Sequence, residues 1–233
     1  MSTSLTEADV NDTDTSERDY DPSIPDASLL EDKLPDWFRM PAVSAGFAFL
    51  MGLTYFFFDR LRPIGHTDVW GHLSYGRRLW ETGMMPTTEP LMPLSAGVQF
   101  VNSAWLSELI SYAGYLAVGK ASITFLFAVC VAGALGFLTR CIYNRTHSSM
   151  FALGGFALTM WVEYQQFAVQ RPQIVGFLFY CILLSILLRR EWSSRTWAIV
   201  PVMFVLWANM HGSFIVGLGL LGCFAIGRAV DLI

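Results

Sequence analysis

Six long apolar runs, separated by polar intervals, follow one another along the chain. They cover residues 42–58, 121–139, 150–162, 174–188, 196–210 and 213–227. A helix that crosses the roughly 30 Å hydrocarbon core of a bilayer needs about 20 predominantly apolar residues. Because lipid offers the backbone no hydrogen-bonding partners, such runs fold as helices. The pattern predicts an all-α integral membrane protein with about six transmembrane helices.

The interval 59–120, between the first two runs, carries two shorter helical patterns. The first is Asp68–Glu81, and Gly83 is placed to end it. The second, 103–119, is a helical pattern interrupted by Glu108. A Trp-rich helix flanked by Arg tends to lie in the plane of the membrane interface. We therefore predict two interfacial helices in a long first outer loop. A seventh crossing by 103–119 is the alternative, and it would invert every loop that follows.

Charge is scarce in this chain and is unevenly placed. Only 15% of the residues are charged, against about 25% in soluble domains. Residues 1–40 contain 11 acidic and 3 basic residues, which predicts a disordered acidic tail followed by a transmembrane domain over 41–233. The cysteines are predicted to be small core residues, because they lie in or beside apolar runs without CxxC spacing. They are Cys130, Cys141, Cys181 and Cys223.

The orientation follows from Lys and Arg in the short loops, which collect on the cytoplasmic side. If the tail is cytoplasmic, one short-loop arginine, Arg171, lies outside and six lie inside. The six are Arg140, Arg145, Arg189, Arg190, Arg195 and Arg228. The sequence thus predicts a multi-pass protein of the inner cell membrane with a cytoplasmic N-terminus. The interval 59–120 is then on the outer face.

Ionisable and amide side chains collect at the predicted outer ends of the helices. Polar groups at membrane depth are costly, so a collection at one level is a functional hypothesis. Each group also has a structural alternative: Glu163 as a solvated helix end, Arg171 as a snorkelling anchor, and His211 as a hydrogen-bonded interface residue. The collection comprises Asp68, His72, Glu163, Gln165, Gln166, Arg171 and His211.

Asp68 and His72 are four residues apart and therefore share a face of the predicted helix. With His66, just before the helix, they form a candidate set of metal ligands. A divalent metal is not favoured, because the spacing matches no familiar zinc pattern. We prefer Asp68 as a proton acceptor, with His72 orienting it or packing at the interface. As a further alternative, Asp68 caps the helix through its macrodipole.

A series of residues carries a resemblance to a known family. It comprises Asp68-Val69-Trp70-Gly71-His72-Leu73, Gly76-Arg77, Gly83, Pro86, Glu89-Pro90, Trp105-Leu106 and Glu108, then the segments 171–179 and 206–214. These residues resemble the N-terminal portion of GT-C-type polytopic membrane glycosyltransferases, in a poorly characterised bacterial branch. The resemblance covers residues 42–230. Members of this superfamily usually have many more spans, so the chain is expected to be a fragment, a truncated product or a reduced relative.

The resemblance implies sugar transfer at the outer membrane face from a polyprenyl-phosphate-linked donor. It implies Asp68 as the general base, and arginine as the partner of the donor phosphate, because guanidinium groups match phosphate oxygens in a fork. Glu89 stands where many relatives carry Asp, a departure that moves the carboxylate by one methylene. The candidate substrate-binding residues are His72, Arg77, Arg78, Glu89, Arg171 and His211.

Two functions of other classes stay open at this point. One is a non-catalytic membrane scaffold or transport subunit that keeps the fold. The other is a metal-dependent membrane enzyme that uses His66, Asp68 and His72. The expected partners are the lipid bilayer, a lipid-linked sugar and an acceptor that the sequence does not identify. No nucleic acid is expected as a partner, and no cofactor is favoured.

Overall fold

A computed structural model describes residues 40–61, 64, 68–167, 169–189 and 192–231. The chain divides into two units, Met1–Met40 and Pro41–Ile233. The predicted acidic tail lies outside the described residues apart from Met40, and so do His66 and Arg190.

The described residues fold into helices without a strand, and the long connection over residues 83–104 contains one isolated bridge, between Thr88 and Gln99. The helices are α1 (Ala42–Arg60), α2 (Asp68–Thr82), α3 (Trp105–Val118), α4 (Lys120–Thr146), α5 (Ser149–Val162), α6 (Tyr164–Phe167), α7 (Gln173–Leu187), α8 (Ser194–Met210) and α9 (Phe214–Val230), with one 3-10 turn at Pro93–Ser95. The prediction of an all-α fold is confirmed for this part of the chain. Both helices predicted in the interval 59–120 are present as α2 and α3.

Two of the described helices, α1 and α4, are long and apolar enough to cross a membrane. Three others, α5, α7 and α9, are apolar but have only 14, 15 and 17 residues. At about 1.5 Å per residue, such helices fall short of a roughly 30 Å hydrocarbon core. Length and composition therefore support two of the six predicted spans, and the other four stay predictions.

Helix α4 is longer than the apolar run that predicted it. It continues to Thr146, so Arg140 and Arg145 lie in its last turns and not in a loop as predicted. Basic side chains at that end favour the helix, because they face the negative end of its macrodipole. His147 ends α4 in the left-handed conformation, with φ 52°.

The core is built around α4, which packs against α1, α3, α5 and α7. Phe58 of α1, Val131 and Leu135 of α4, and Ile174 of α7 belong to one buried cluster. A second cluster joins α7, α8 and α9 around Trp207, which is almost completely buried. The helix pair α4–α7 thus connects the two clusters and forms the frame on which the site is built.

The cysteine prediction is correct for three residues and wrong for one. All four are free thiols: Cys141 and Cys181 are buried, Cys130 is partly buried, and Cys223 is exposed. Cys223 lies on α9, whose outer face is not covered by another described helix. Apolar character alone therefore did not distinguish a core position from an exposed one.

Helices α2 and α3 pack directly against each other, and α3 packs against α4. Gly83 ends α2 as predicted, with φ 64° and a hydrogen bond from its N–H to the Leu79 carbonyl. A single residue, Gly119, separates α3 from α4, with φ 71° and ψ −150°. That conformation is accessible mainly to glycine. The connection fixes α3 at the beginning of α4.

The chain between α2 and α3 folds back on α2. The Glu89 N–H donates to the Val98 carbonyl and the Phe100 N–H donates to the Thr87 carbonyl, each at 2.9–3.0 Å. The Phe100 ring stacks on Tyr75 of α2, with ring centroids 5.3 Å apart. Residues 87–100, which we call the outer lobe after the position that the sequence predicts for them, are thereby held against α2.

Candidate functional site

A cavity of about 240 Å³ lies between α2, α3, α4 and α7. Its polar lining is contributed by His72 of α2, Ser107 and Ser111 of α3, and Gln170 and Arg171 before α7. The rest of the lining is almost entirely apolar and comes largely from α4 and α7, including Ile123, Leu126, Phe127, Ile174, Val175 and Leu178. The cavity therefore has a mostly apolar lining that includes a few polar groups.

Asp68 and Arg171 form an ion pair beside this cavity; Arg171 lines the cavity and Asp68 does not. Asp68 Oδ2 lies 2.7 Å from Arg171 Nη2, and both side chains are partly exposed. Asp68 is the first residue of α2, where a carboxylate also faces the positive end of the helix macrodipole. Arg171 precedes α7, so the pair connects the beginning of α2 to the beginning of α7. The structure brings together two residues that the sequence analysis singled out separately.

His72 pairs with a buried carboxylate that the sequence analysis did not include among its site residues. His72 Nδ1 lies 2.7 Å from Glu108 Oε1, and Asn102 Nδ2 donates to Glu108 Oε2 at 2.5 Å. Glu108 is only 3% exposed. A buried carboxylate is costly unless both its oxygens find donors, and here both do. His72, Glu108 and Asn102 form a hydrogen-bonded unit that we call the His72 triad.

Gly76 explains how α2 and α3 approach closely enough to form this triad. A Cβ placed on Gly76 would overlap the backbone carbonyl of Glu108. The absence of a side chain lets the two helices touch at this level. His72 is one turn earlier on the same face of α2, so it reaches the Glu108 side chain.

The beginning of α3 is fastened to the end of α8 by two hydrogen bonds. Trp105 Nε1 donates to Asn209 Oδ1 at 2.8 Å, and Ser107 Oγ donates to the Met210 carbonyl at 2.9 Å. His211 follows directly and accepts, at Nδ1, a hydrogen bond from the Ser213 N–H. Burial, and the nearby His72, lower the pKa of His211 below its usual value of 6.5. His211 is therefore a neutral neighbour of the triad at pH 7.

Glu89 stabilises the outer lobe through hydrogen bonds. Its Oε1 accepts hydrogen bonds from Tyr75 Oη and from the N–H groups of Leu91 and Met92, at 2.8–3.0 Å. Desolvation pushes the pKa of Glu89 upward, but these three donors outweigh it and lower the pKa below 4.5. Burial and the Glu89 carboxylate raise the pKa of Tyr75 to about 12. Glu89 does not line the cavity.

Arg77 and Arg78 lie on the exposed face of α2. Arg77 Nε contacts Glu81 Oε1 at 2.8 Å, one turn further along the helix. Arg78 is exposed as well, and neither arginine lines the cavity. Of the three arginines that the resemblance offered for a phosphate, the geometry places Arg171 alone at the cavity.

Two further predicted groups lie outside the cavity. Glu163 and Gln166 line a separate pocket of about 110 Å³, where Gln173 Nε2 donates to Gln166 Oε1 at 2.7 Å. Trp70 and Trp80 project from α2, and Lys120 Nζ lies 5.8 Å from the centroid of the Trp70 ring. These tryptophans are partly exposed and do not line the cavity.

The metal hypothesis rests partly on a residue outside the described ranges. Among the described residues, no three His, Cys, Asp or Glu side chains are grouped closely enough to hold a metal ion. Asp68 and His72 are instead engaged with Arg171 and Glu108. His66 is not described, so the set His66, Asp68 and His72 stays a hypothesis.

Sequence reasoning missed the groups that hold the site in shape. The available signal was Glu108, which interrupts the apolar pattern of its helix. A lone carboxylate in such a helix requires a partner. Asn102, Ser107 and Asn209 gave no such signal. Their roles depend on contacts between residues far apart in the sequence.

Comparison with known proteins does not identify a family for this chain. No protein-family model, no curated protein and no solved structure matches the chain.

Proposed function

We propose that this protein is a membrane glycosyltransferase of the GT-C type, which transfers a sugar from a polyprenyl-phosphate donor at the outer face of the inner membrane. The observation that carries the proposal is a mostly apolar cavity with the Arg171 side chain in its lining. A polyprenyl phosphate combines an anionic head, which suits the arginine, with a hydrocarbon chain, which suits the apolar lining.

The exterior of the helices supports membrane embedding. Large apolar side chains are exposed on α1, α5, α8 and α9, among them Phe49, Trp161, Val205 and Ile215. Soluble monomers rarely expose contiguous apolar patches larger than a few hundred Å². Contact with lipid removes the free-energy cost of such a surface. The six spans, the cytoplasmic N-terminus and the outer position of α2 and α3 belong to this proposal.

Arg171 is the residue best placed for the donor phosphate. Its guanidinium lines the cavity and is already oriented by Asp68. A guanidinium offers two parallel N–H donors to a phosphate in a low-dielectric site, where charge-assisted hydrogen bonds are strongest. Arg77 and Arg78 are left as surface residues, because neither reaches the cavity.

Asp68 is the base in this mechanism. Its carboxylate takes the proton of the acceptor hydroxyl, and the hydroxyl oxygen attacks the anomeric carbon of the sugar. The bond between that carbon and the phosphate oxygen breaks, and its electron pair stays on the phosphate. Arg171 compensates the negative charge that develops there. In this proposal, the ion pair between Asp68 and Arg171 keeps the base beside the leaving group.

The test is sugar transfer by the full chain in proteoliposomes, with a radiolabelled polyprenyl-phosphate sugar. Asp68→Asn should lower the turnover number by about 10²- to 10⁴-fold, because the amide cannot accept the proton. Glu81→Gln is the matched control, since Glu81 is an exposed carboxylate on the same helix. Unchanged transfer by Asp68→Asn would exclude Asp68 as the base. A wild-type chain that binds no polyprenyl phosphate would contradict the donor class.

A further inference from the structure

The mechanism above gives the His72 triad no task. Glu108 has both carboxylate oxygens engaged and is buried. Burying a carboxylate is costly and needs a compensating interaction. Its partner His72 lines the same cavity as Arg171.

The hydrogen bonds of the triad fix the orientation of the His72 ring. When Glu108 is ionised, its oxygens only accept hydrogen bonds, and the ring nitrogen that faces it, Nδ1, carries the proton of this bond. Nε2 is then the ring nitrogen that Glu108 does not engage, on a residue that lines the cavity. Asn102 holds the second oxygen of Glu108 and prevents the carboxylate from turning away. This is the arrangement in which a buried carboxylate orients an imidazole and stabilises its charged form.

We infer that His72 is a second catalytic residue, a general acid for the phosphate leaving group, and that Glu108 and Asn102 are its positioning residues. The inference rests on the proposed function. As the bond between the anomeric carbon and the phosphate oxygen breaks, His72 Nε2–H gives its proton to that oxygen. The products are the glycosylated acceptor and a protonated polyprenyl phosphate. Asp68 holds the proton of the acceptor hydroxyl, and solvent returns one proton from Asp68 to His72, so the cycle balances.

The charged neighbours of His72 agree with this assignment. Glu108 faces it from α3, Arg171 borders the same cavity before α7, and His211 lies near it after α8. His211 is neutral at pH 7, so it does not compete for the phosphate as a second cation. Arg171 binds charge but does not give up its proton at physiological pH. His72 is therefore the proton donor at this cavity.

The first measurement is the spectrum of ¹⁵N-labelled histidines of the full chain in lipid nanodiscs. The chain has four histidines, so comparison with His72→Gln identifies the His72 signals. We expect a protonated Nδ1 that is strongly hydrogen-bonded in the wild type and in Glu81→Gln, and that loses this bond or weakens it in Glu108→Gln. An Nδ1 signal that is the same in Glu108→Gln would overturn the positioning role of Glu108.

The second measurement adds polyprenyl phosphate, the product of the proposed reaction, to the same sample. Binding of the lipid is followed separately by its ³¹P signal. A change in the His72 Nε2 signal on binding supports the inference. Binding without that change overturns the inference and leaves the donor class intact. Absence of binding overturns both.

Kinetics separate a catalytic role from a structural one. His72→Gln should lower the turnover number by about 10²- to 10⁴-fold with a KM for the donor within a few-fold of the wild type. Glu108→Gln should give a smaller loss, of about tenfold or more, because the amide keeps the shape of the site but not its charge. His147→Asn is the control, since His147 ends α4 and asparagine tolerates its left-handed conformation. A loss confined to KM in His72→Gln would contradict the acid assignment.

Discussion

Gly76 of α2 lies against the backbone carbonyl of Glu108 of α3, closely enough that no side chain fits between them. This contact sets the distance between the two helices and hence the reach of His72 to the buried carboxylate. The first prediction follows directly from it.

Gly76→Ala should destabilise the protein, because the added methyl group must displace the α3 backbone. Overpacking of this kind costs about 1–3 kcal/mol. Gly71→Ala is the matched control: Gly71 lies on the same helix with no atom near its Cβ position. There, alanine should stabilise the helix by about 0.5–1 kcal/mol. Thermal unfolding of both variants in the same detergent measures the difference, and equal shifts in Tm would contradict the close approach.

Arg171→Gln should weaken binding of the donor. Loss of a charge-assisted hydrogen bond costs about 1.5–3 kcal/mol, which corresponds to about a 10- to 150-fold rise in the dissociation constant for polyprenyl phosphate. Arg77→Gln removes an exposed arginine that pairs with Glu81 and should leave the constant unchanged. Titration of nanodisc-embedded protein with the lipid distinguishes the two arginines. Equal rises in the dissociation constant for Arg171→Gln and Arg77→Gln would contradict the assignment of the phosphate to Arg171.

The outer lobe should loosen in acid. The pKa of Glu89 is lower in the folded protein than its ordinary value of 4.5, because of its three hydrogen bonds. A group with a lowered pKa stabilises the fold above its ordinary pKa and loses that contribution as the pH falls through the folded value. The protection factors of the Glu89 and Phe100 amides against hydrogen exchange should therefore fall below about pH 4.5. Glu89→Gln should exchange faster at pH 7 and lose most of this acid dependence; an unaltered pH dependence would show that another group holds the lobe.

The orientation of the chain can be tested with single cysteines. Leu94, in the 3-10 turn of the outer lobe, is fully exposed. Leu94→Cys, in a variant whose native cysteines are replaced by serine, should react with a membrane-impermeant maleimide in intact cells. Ser4→Cys in the tail should react only after the cells are lysed. The opposite result would place the outer lobe and the proposed site in the cytoplasm.

The sequence predicted the elements of the fold better than its contacts. Apolar periodicity located α2 from Asp68 to within one residue of its end, because that signal is local. The end of α4 was misplaced, because Arg140 and Arg145 suit a helix terminus as well as a loop. The partners of Glu108 and Arg171 could not be predicted, since they lie on other helices and nothing in a single sequence records which helices pack together.

Gly119 has a mechanical consequence for this site. Only one residue separates α3 from α4, and the two helices pack against each other, so we expect a movement of α4 to displace Glu108 on α3. If α4 spans the bilayer as proposed, it tilts to match the hydrocarbon thickness around it. The thickness of the membrane then adjusts the spacing between the carboxylate beneath His72 and the arginine before α7. The length of the lipid chains would then change the distance between Glu108 and Arg171.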